Sequence, residues 1–543
     1  MARDLSSYHA RTRTRGVNPF VYWPTRVVIQ PVLMLLFWLR RIGREHIPAE
    51  GGVILAPNHR SFLDPWVVGV CLRRPAYFVA KQELFEKRWM GWFLNSLGAF
   101  PIRRGESDEE AMETARQLVE RGEAVLIFPE GTRIRRGSLG DPRRGVGRLA
   151  LETGAPVVPV AVAGTERARR GFIIRPCKVR VRCGRPLTFP RVEQPSAHLA
   201  REVTARIWPC VELQYEWLGG IPALRTAAVV GAGPMGTALA TLLARAGLEV
   251  ELGCRTREQA ERITGTRVND ARLPGVELPD GVSAKPVSRI EFQAMDLVVF
   301  AVPSRDLPAA VAEVAASIGR RTAVLVCSKG LVRPFGMRPS EYVAERVLGR
   351  AVAALAGPAH AAEAVTGDAA LVVASQDADL RRQLVRLFEK ARVGVEETDD
   401  VVGTELAACG KNVAALAASA AAVRRMNDAG AAASRVFTEV YALATHEGAR
   451  PETFAGTAGV GDLVATVLAE GSRNRRAGEM LARGSRPDEI RAAIGETPES
   501  LDAAPLLAQV LERRGLPAEA VREVAELVNG PAAQTSQQTA VAR

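Results

Sequence analysis

The chain has 543 residues, 47% of them hydrophobic and 24% charged, with 48 glycines and 33 prolines. That composition excludes disorder as the main state, and the length exceeds what one hydrophobic core organises, so two or more domains are expected. The net charge of +12 is unevenly placed: residues 1–225 hold 36 basic and 21 acidic residues, an excess of +15, whereas residues 226–543 hold 36 and 39, or −3. Seven cysteines, at 71, 177, 183, 210, 254, 327 and 409, form no C-x-x-C pair. Such spacing fits buried thiols in a reducing compartment, and no disulfide framework or metal site is predicted.

The first feature along the chain is the apolar run Val27–Leu39, thirteen residues that include Gln30 and Pro31. A bilayer span needs roughly 20, so this run is not expected to cross one. Arg26 precedes it, Arg40, Arg41 and Arg44 follow, and Tyr22, Trp23, Phe37 and Trp38 lie within or beside it. That mixture suits a basic amphipathic arm (residues 1–45) lying in the headgroup layer of an anionic membrane; the alternative is a core helix with a solvated basic end. No cleavable signal is recognised, and a cytoplasmic protein held peripherally at the inner face of the membrane is the expectation.

Strands are predicted at Gly52–Ala56, Ala124–Phe128 and Val157–Val162, with a loop running into a helix over Pro57–Leu72 and helices at Glu109–Arg121 and Gly145–Thr153. This alternation describes an α/β domain over residues 46–217. The stretch 218–225, with two glycines and a proline, reads as a linker. After it come a strand at Ala227–Val230, a glycine turn at Gly231–Gly236, a helix at Thr237–Ala246 and a strand at Leu248–Gly253, which together open a βαβ unit. Further strands are expected at Leu297–Val302 and Ala323–Cys327. The reading is a Rossmann domain over 226–401, an all-helical domain over 402–528 and a disordered polar tail over 529–543.

Asn58-His59-Arg60-Ser61-Phe62-Leu63-Asp64 sets a His and an Asp five positions apart. On a regular helix five residues turn about 500°, leaving the side chains about 140° apart, so pairing them requires an irregular entry such as Pro57-Asn58 provides. Gly98–Arg104, Phe128-Pro129-Glu130-Gly131-Thr132-Arg133 and Ala155–Val160 follow in order. The four blocks resemble the glycerolipid acyltransferases, specifically the 1-acyl-glycerol-3-phosphate acyltransferases, over roughly residues 30–210. The resemblance implies that His59 is a general base toward an acceptor hydroxyl attacking an acyl thioester, carried by coenzyme A or acyl carrier protein. Asp64 would fix the imidazole tautomer. It also implies that Arg104, Glu130, Gly131 and Arg133 bind the glycerol phosphate acceptor.

The glycine turn Gly231-Ala232-Gly233-Pro234-Met235-Gly236 offers backbone approach to a pyrophosphate at a helix N-terminus. Arg255 and Arg257 stand at the end of the second strand with no acid at 253–257, and Glu251 lies inside the strand, so NADPH is favoured over NADH. Downstream stand Ala301–Ser304, Cys327–Gly330, Gly357–Glu363, Gly410–Val413, Gly459–Leu463 and Ser472–Arg476. With the glycine turn these resemble the NAD(P)-dependent glycerol-3-phosphate dehydrogenases across residues 225–528. The resemblance implies that Lys411 is the acid/base at the C2 oxygen of dihydroxyacetone phosphate, and that Gly357, Lys329, Asp462, Ser472, Arg473 and Asn474 bind substrate. Cofactor would meet Gly231, Gly233, Met235, Gly236, Arg255, Lys329, Ala361 and Arg473. Glu499, placed by its spacing back from Gly515, matches a cofactor-binding glutamate. Three features depart from that family's pattern: Pro234-Met235 in the turn, Ala359, and the stretch Ala422–Val436.

The combined expectation is a bifunctional enzyme of phospholipid synthesis. One half reduces dihydroxyacetone phosphate to sn-glycerol 3-phosphate, and the other acylates 1-acyl-sn-glycerol 3-phosphate to phosphatidic acid. Two alternatives stay open, a catalytically silent membrane-anchoring first domain and acylation of glycerol 3-phosphate itself. A nucleic-acid module is not expected, because no recognisable RNA-binding or zinc-finger signature accompanies the basic charge.

Overall fold

The computed structural model describes residues 5–102, 108–134, 139–170, 173–334, 336–495 and 498–529. Two compact units divide at Ala223/Leu224, inside the predicted linker.

The first unit is built on a seven-stranded sheet in the order Arg40–Ile42, Arg180–Cys183, Val157–Ala163, Val53–Pro57, Ala124–Leu126, Ala76–Lys81, Ala99–Ile102. All neighbours are parallel except Val157–Ala163 with Arg180–Cys183. Val53–Pro57 is buried throughout, which is why it reads as a continuous apolar run rather than an alternation. Its Ile54 and Ala56 face one core, closed by helices Glu109–Glu120, Gly145–Thr153 and Ala197–Trp217, while Val53 and Leu55 face another, closed by helix Asp64–Gly69 and Leu33. Four strands went unread in the sequence. Arginines on Arg40–Ile42 and Arg180–Cys183 mask the period of two, and Pro101 sits in Ala99–Ile102, tolerated there because that strand is an edge.

Of the arm set apart by the sequence over 1–45, the described residues 5–45 belong to the same compact unit. Helix Ser6–Arg15 buries His9 and Thr12; His9 Nδ1 lies 2.9 Å from Thr114 Oγ1, and Arg11 donates to Asn95 Oδ1 at 2.8 Å. Helix Pro19–Leu36 has 18 residues and is long and apolar enough to cross a membrane by length and composition, a longer element than the run from Val27 suggested. It buries only Tyr22 and Leu33, and Arg26 is turned into the domain to donate to the carbonyls of Leu72 and Arg74.

The second unit carries an eight-stranded sheet in the order Val282–Pro286, Glu249–Cys254, Thr226–Val230, Leu297–Phe300, Ala323–Val326, Ala351–Ala356, Ala370–Ala374, Gly394–Thr398. Only Ala351–Ala356 with Ala370–Ala374 is antiparallel. The chain reverses direction across the sheet between Thr226–Val230 and Leu297–Phe300, which opens a crevice at their C-terminal ends, the usual ligand position in doubly wound sheets. From Val401 the described chain is helical. Helix Val401–Ala422 runs through the centre of this part, with Gly403 to Ser419 all buried. The last helix ends at Asn529, and the rest of the predicted tail lies outside the described residues.

Candidate active sites

In the second unit the three glycines of the turn do different work. Gly231 has φ +110°, and a Cβ there would stand 2.7 Å from the Ala301 carbonyl oxygen. At Gly236 a Cβ would meet the Gly231 oxygen at 1.9 Å, so helix Pro234–Arg245 can pack against the strand only without one. Around Gly233 nothing lies within 4 Å of the Cβ position, leaving open backbone at the helix N-terminus where a pyrophosphate fits. Buried Asn269 fastens the turn, donating to the Ala232 carbonyl at 3.1 Å and to Thr237 Oγ1 at 2.8 Å. Met235 packs its side chain against the core and offers the site only backbone, and Ala361 begins a helix lying alongside Pro234–Arg245. Arg255 is exposed just past the second strand, while Arg257 is paired with Glu261 at 2.6 Å. Glu251 is held by Lys285 at 2.5 Å within the sheet.

A buried ionic chain lies below this crevice. Asp462 receives Lys329 Nζ at 3.0 Å on Oδ2 and Lys411 Nζ at 3.1 Å on Oδ1. Lys329 also donates to the Gly357 carbonyl at 2.9 Å, and Lys411 to Thr466 Oγ1 at 2.8 Å. Burial and the neighbouring Lys329 charge bring Lys411 down to about 8, with Asp462 acting against them. Burial pushes the Asp462 carboxyl up, but Lys329 and Lys411 outweigh it and leave it below its ordinary value. Glu499 accepts from the backbone N–H of Ser304 at 2.9 Å and of Lys329 at 3.1 Å, tying helix Glu499–Arg513 to the ends of two strands. Its carboxyl is raised by burial. Asn412 donates to the Lys329 carbonyl at 2.9 Å and accepts from Asn474 at 2.8 Å. Ser472 caps the helix that begins at Arg473. The structure therefore gathers Lys329, Gly357, Lys411, Asp462, Asn474 and Glu499 by direct bonds. The residues that the sequence reading missed are Asn269, Ser304, Asn412 and Thr466. Ser304 and Asn412 had a sequence signal, since they lie in the blocks Ala301–Ser304 and Gly410–Val413.

In the first unit the chain loops between Pro57 and helix Asp64–Gly69, so the side chains a helix would hold apart come together: His59 Nδ1 is 2.8 Å from Asp64 Oδ2. Asp64 is fully buried and also receives Thr165 Oγ1 at 2.6 Å and the backbone N–H groups of Arg60 and Ser61 at 2.5 and 2.6 Å. Four donors on one carboxylate fix its orientation, and Thr165, far along the chain, was not legible as one of them. The His59 ring lies against Phe128 with centroids 4.1 Å apart. Buried Glu130 accepts from the N–H of His59 and from that of Gly140 at 2.7 Å, which fastens the Phe128–Arg133 block to the histidine. Burial raises its carboxyl to about 7 against those two bonds. Gly131 has φ +64°, and a Cβ there would press on the Arg143 side chain at 2.9 Å. Arg133 is exposed on the same loop, and Arg104 lies outside the described residues. Among the described residues no group of three or more His, Cys, Asp or Glu is placed to hold a metal ion.

Family models place these two geometries. Residues 226–381 match the N-terminal domain of NAD-dependent glycerol-3-phosphate dehydrogenase and residues 400–537 its C-terminal domain. The chain is 33% identical over 308 residues to glycerol-3-phosphate dehydrogenase (NAD(P)+) of Chelativorans sp. (strain BNC1), covering 56% of this chain and 93% of that protein.

The chain belongs to the glycerol-3-phosphate dehydrogenase family.

The Deinococcus radiodurans dehydrogenase is 37% identical over 305 residues, covering 56% of this chain and 90% of its own. The crystal structure of glycerol-3-phosphate dehydrogenase from Coxiella burnetii superposes with a TM-score of 0.54 at 26% identity, covering 59% of this chain and 99% of that one. This dehydrogenase carries a second domain, since residues 39–163 match the acyltransferase family model. A Rossmann half, a helical C-terminal half and a preceding acyltransferase domain thus make up the chain. The family uses NAD(P), and the residues at the crevice fit it: bare backbone at Gly233, a helix N-terminus facing it and an exposed arginine past the second strand.

Proposed function

We propose that the chain is bifunctional, reducing dihydroxyacetone phosphate to sn-glycerol 3-phosphate in its second unit and transferring an acyl group to 1-acyl-sn-glycerol 3-phosphate in its first. Both serve phospholipid synthesis. For the reductase, the carrying observation is the Lys329–Asp462–Lys411 chain. Gly231, Gly233 and Arg255 would hold NADPH, or NADH less well, which when bound would supply the hydride. Lys411 holds a proton near neutral pH and gives it to the C2 oxygen; Asp462 keeps that ammonium in place, and Lys329, Arg473 and Asn474 receive the substrate.

For the transferase, the carrying observation is the His59–Asp64 pair at 2.8 Å inside a fully bonded loop. With Nδ1 committed to Asp64, Nε2 is the nitrogen that takes the acceptor hydroxyl proton. The hydroxyl oxygen then bonds to the thioester carbonyl carbon, the C–S bond breaks, and the thiolate of coenzyme A or of acyl carrier protein leaves and recovers a proton from His59. Glu130 and Gly131 shape the loop that presents Arg133 to the acceptor phosphate. The intact His59–Asp64 pair favours transfer over the reading of a silent anchoring domain.

The exposed apolar face of helix Pro19–Leu36, with Phe20 91% and Leu35 77% accessible, and the basic charge of this half support peripheral attachment to the inner face of the cytoplasmic membrane. The helix lies along the domain because Arg26, Tyr22 and Leu33 bind it there. A paired assay on the purified full chain tests the reading: dihydroxyacetone phosphate-dependent NADPH oxidation alongside labelled acyl transfer, with glycerol 3-phosphate and its 1-acyl form competing at equal concentration. Predominance of diacylated product supports the 1-acyl acceptor. Faster acylation of glycerol 3-phosphate overturns that choice, and no labelled product with either acceptor overturns the transferase.

A further inference from the structure

Helix Glu499–Arg513 opens with two carboxylates, Glu499 and Asp502, three positions apart and so on one face of its first turn. Glu499 takes the backbone N–H groups of Ser304 and Lys329. Asp502, 8% exposed, takes side chains from the same two loops: Arg333 donates to Oδ1 at 3.3 Å, and Arg305 Nη1 stands 3.9 Å from Oδ2. Arg305 follows Ser304 directly, and Arg333 lies four positions beyond Lys329. A third cation, Arg491 of helix Pro487–Ile494, donates to Oδ1 at 3.2 Å from within the helical part.

The two loops also meet each other. The Ser328 hydroxyl donates to the Val302 carbonyl at 2.7 Å, and a Cβ at Gly330 would stand 2.4 Å from Ser304 Oγ. Leu331 is buried in the helical core with Ala503, Leu506 and Leu507. The backbone of Lys329 is held at its N–H by Glu499 and at its carbonyl by Asn412. These bonds leave one conflict, since the loops deliver two guanidinium groups to a place where Arg491 already stands. Three cations gathered there repel one another unless an anion lies between them, and Asp502 supplies it where burial limits screening.

We infer that Asp502 is a positioning residue of the reductase: with Glu499 it clamps the Arg305 and Arg333 loops to the helical part and so fixes where Lys329 presents its ammonium to substrate. Asp502 acts through the two arginines, not on the reacting atoms. The inference rests on the reductase reading for the purpose of Lys329, while the clamp has a readout independent of turnover.

The test uses the full chain with Asp502→Asn, Arg333→Gln and Arg491→Gln made singly. Asp502→Asn keeps the size of the side chain and leaves three cations uncompensated, so amide exchange over residues 327–333 should quicken by about tenfold. At neutral pH the KM for dihydroxyacetone phosphate should rise by about tenfold while kcat stays within about threefold, because Lys411 and Asp462 are joined to each other inside the helical part. Arg333→Gln cuts a tie to the Lys329 loop and should move exchange and KM in the same direction by less; its half-exposed side chain keeps the test open if Asp502→Asn does not fold. Arg491→Gln should leave KM unchanged, since Arg491 stands on the same side of the clamp as Asp502. Wild-type exchange and KM in both Asp502→Asn and Arg333→Gln overturn the inference. So does an equal rise in KM with Arg491→Gln, which would make Asp502 only a support of the helical part, and so does a fall in kcat with KM unchanged. If exchange quickens as expected but the wild type does not reduce dihydroxyacetone phosphate, the reductase reading fails while the clamp stands.

Discussion

Replacing Asp462 by Asn keeps the shape of the ionic chain and removes its only negative charge. In the wild type Asp462 lies 3.0 Å from Lys329 and 3.1 Å from Lys411. At an effective dielectric of about 20, one unit pair at that separation is worth about 5 kcal/mol, which corresponds to roughly 4 pKa units. The amide oxygen still accepts one hydrogen bond, so a fall of about 2 to 3 units is expected at Lys411. Its starting value is already lowered to about 8 by burial and by Lys329. The sign differs between reaction directions. Reduction of dihydroxyacetone phosphate needs the ammonium, so wild-type rate falls as pH rises through about 8; oxidation of glycerol 3-phosphate needs the free amine, so that rate rises through the same value. In Asp462→Asn both midpoints move downward together. Near neutral pH the reductive kcat should therefore drop by about 30-fold and recover toward pH 5.5, about the shifted midpoint, while the oxidative kcat is spared. Rapid-mix assays with saturating cofactor in both directions measure this. A midpoint unchanged at about 8, or equal losses in both directions at every pH, would refute the assignment of Lys411 as the proton carrier.

His59→Ala should lower labelled acyl transfer by roughly a hundredfold or more while dihydroxyacetone phosphate reduction is unchanged; retained transfer sinks the base assignment. Arg255→Ala should reduce kcat/KM for NADPH by about tenfold or more with little effect on NADH, and Arg257→Ala should do less because Glu261 already holds it. A wild type that prefers NADH reverses that expectation. Thr165→Val strips one donor from buried Asp64 and should cost about 1 to 2 kcal/mol of thermal stability in the first unit. Acyl transfer should fall about tenfold and return with Thr165→Ser, whereas a null effect would mean that the backbone donors suffice.

What the sequence disclosed followed from how local each signal was. The glycine turn, the His59–Asp64 spacing and the apolar central strands are written in contiguous residues, and the structure places them at a strand end, a helix entry and a two-sided core. Asn269, Thr165 and Thr466 act through partners between 32 and 101 positions away, so no local pattern marks them. The edge strand Arg40–Ile42 and its neighbour Arg180–Cys183 hid behind arginines that belong to the sheet. Helix Ser6–Arg15 read as part of a loose basic arm because its buried residues are polar: His9 and Thr12 are satisfied by partners from other elements rather than by apolar packing. Deleting residues 1–45 would therefore remove structural bonds along with any lipid contact, and point substitutions are the sounder probe.

The charge asymmetry also changes meaning once partners are assigned. Arg26, Arg41, Arg60 and Arg74 all spend guanidinium N–H groups on backbone carbonyls, those of Leu72, Val70, Ile134 and Gly122 among them, so part of the +15 excess is structural. In the proposed reductase, residues 226–543 with a net charge of −3 would meet the phosphorylated substrate through half-buried Lys329 and buried Lys411 held by Asp462. A small phosphate thus calls for cations at a fixed place, not for a basic domain. The exposed cations of the first half, concentrated in residues 167–180 and around the apolar helix, are suited instead to an extended anionic surface, where each contributes about 1 kcal/mol and salt removes it. Raising the salt should then release the protein from phosphatidylglycerol vesicles without altering the KM for dihydroxyacetone phosphate to the same degree. Parallel loss of both would place the general field of the chain, rather than the local lysines, in charge of substrate binding.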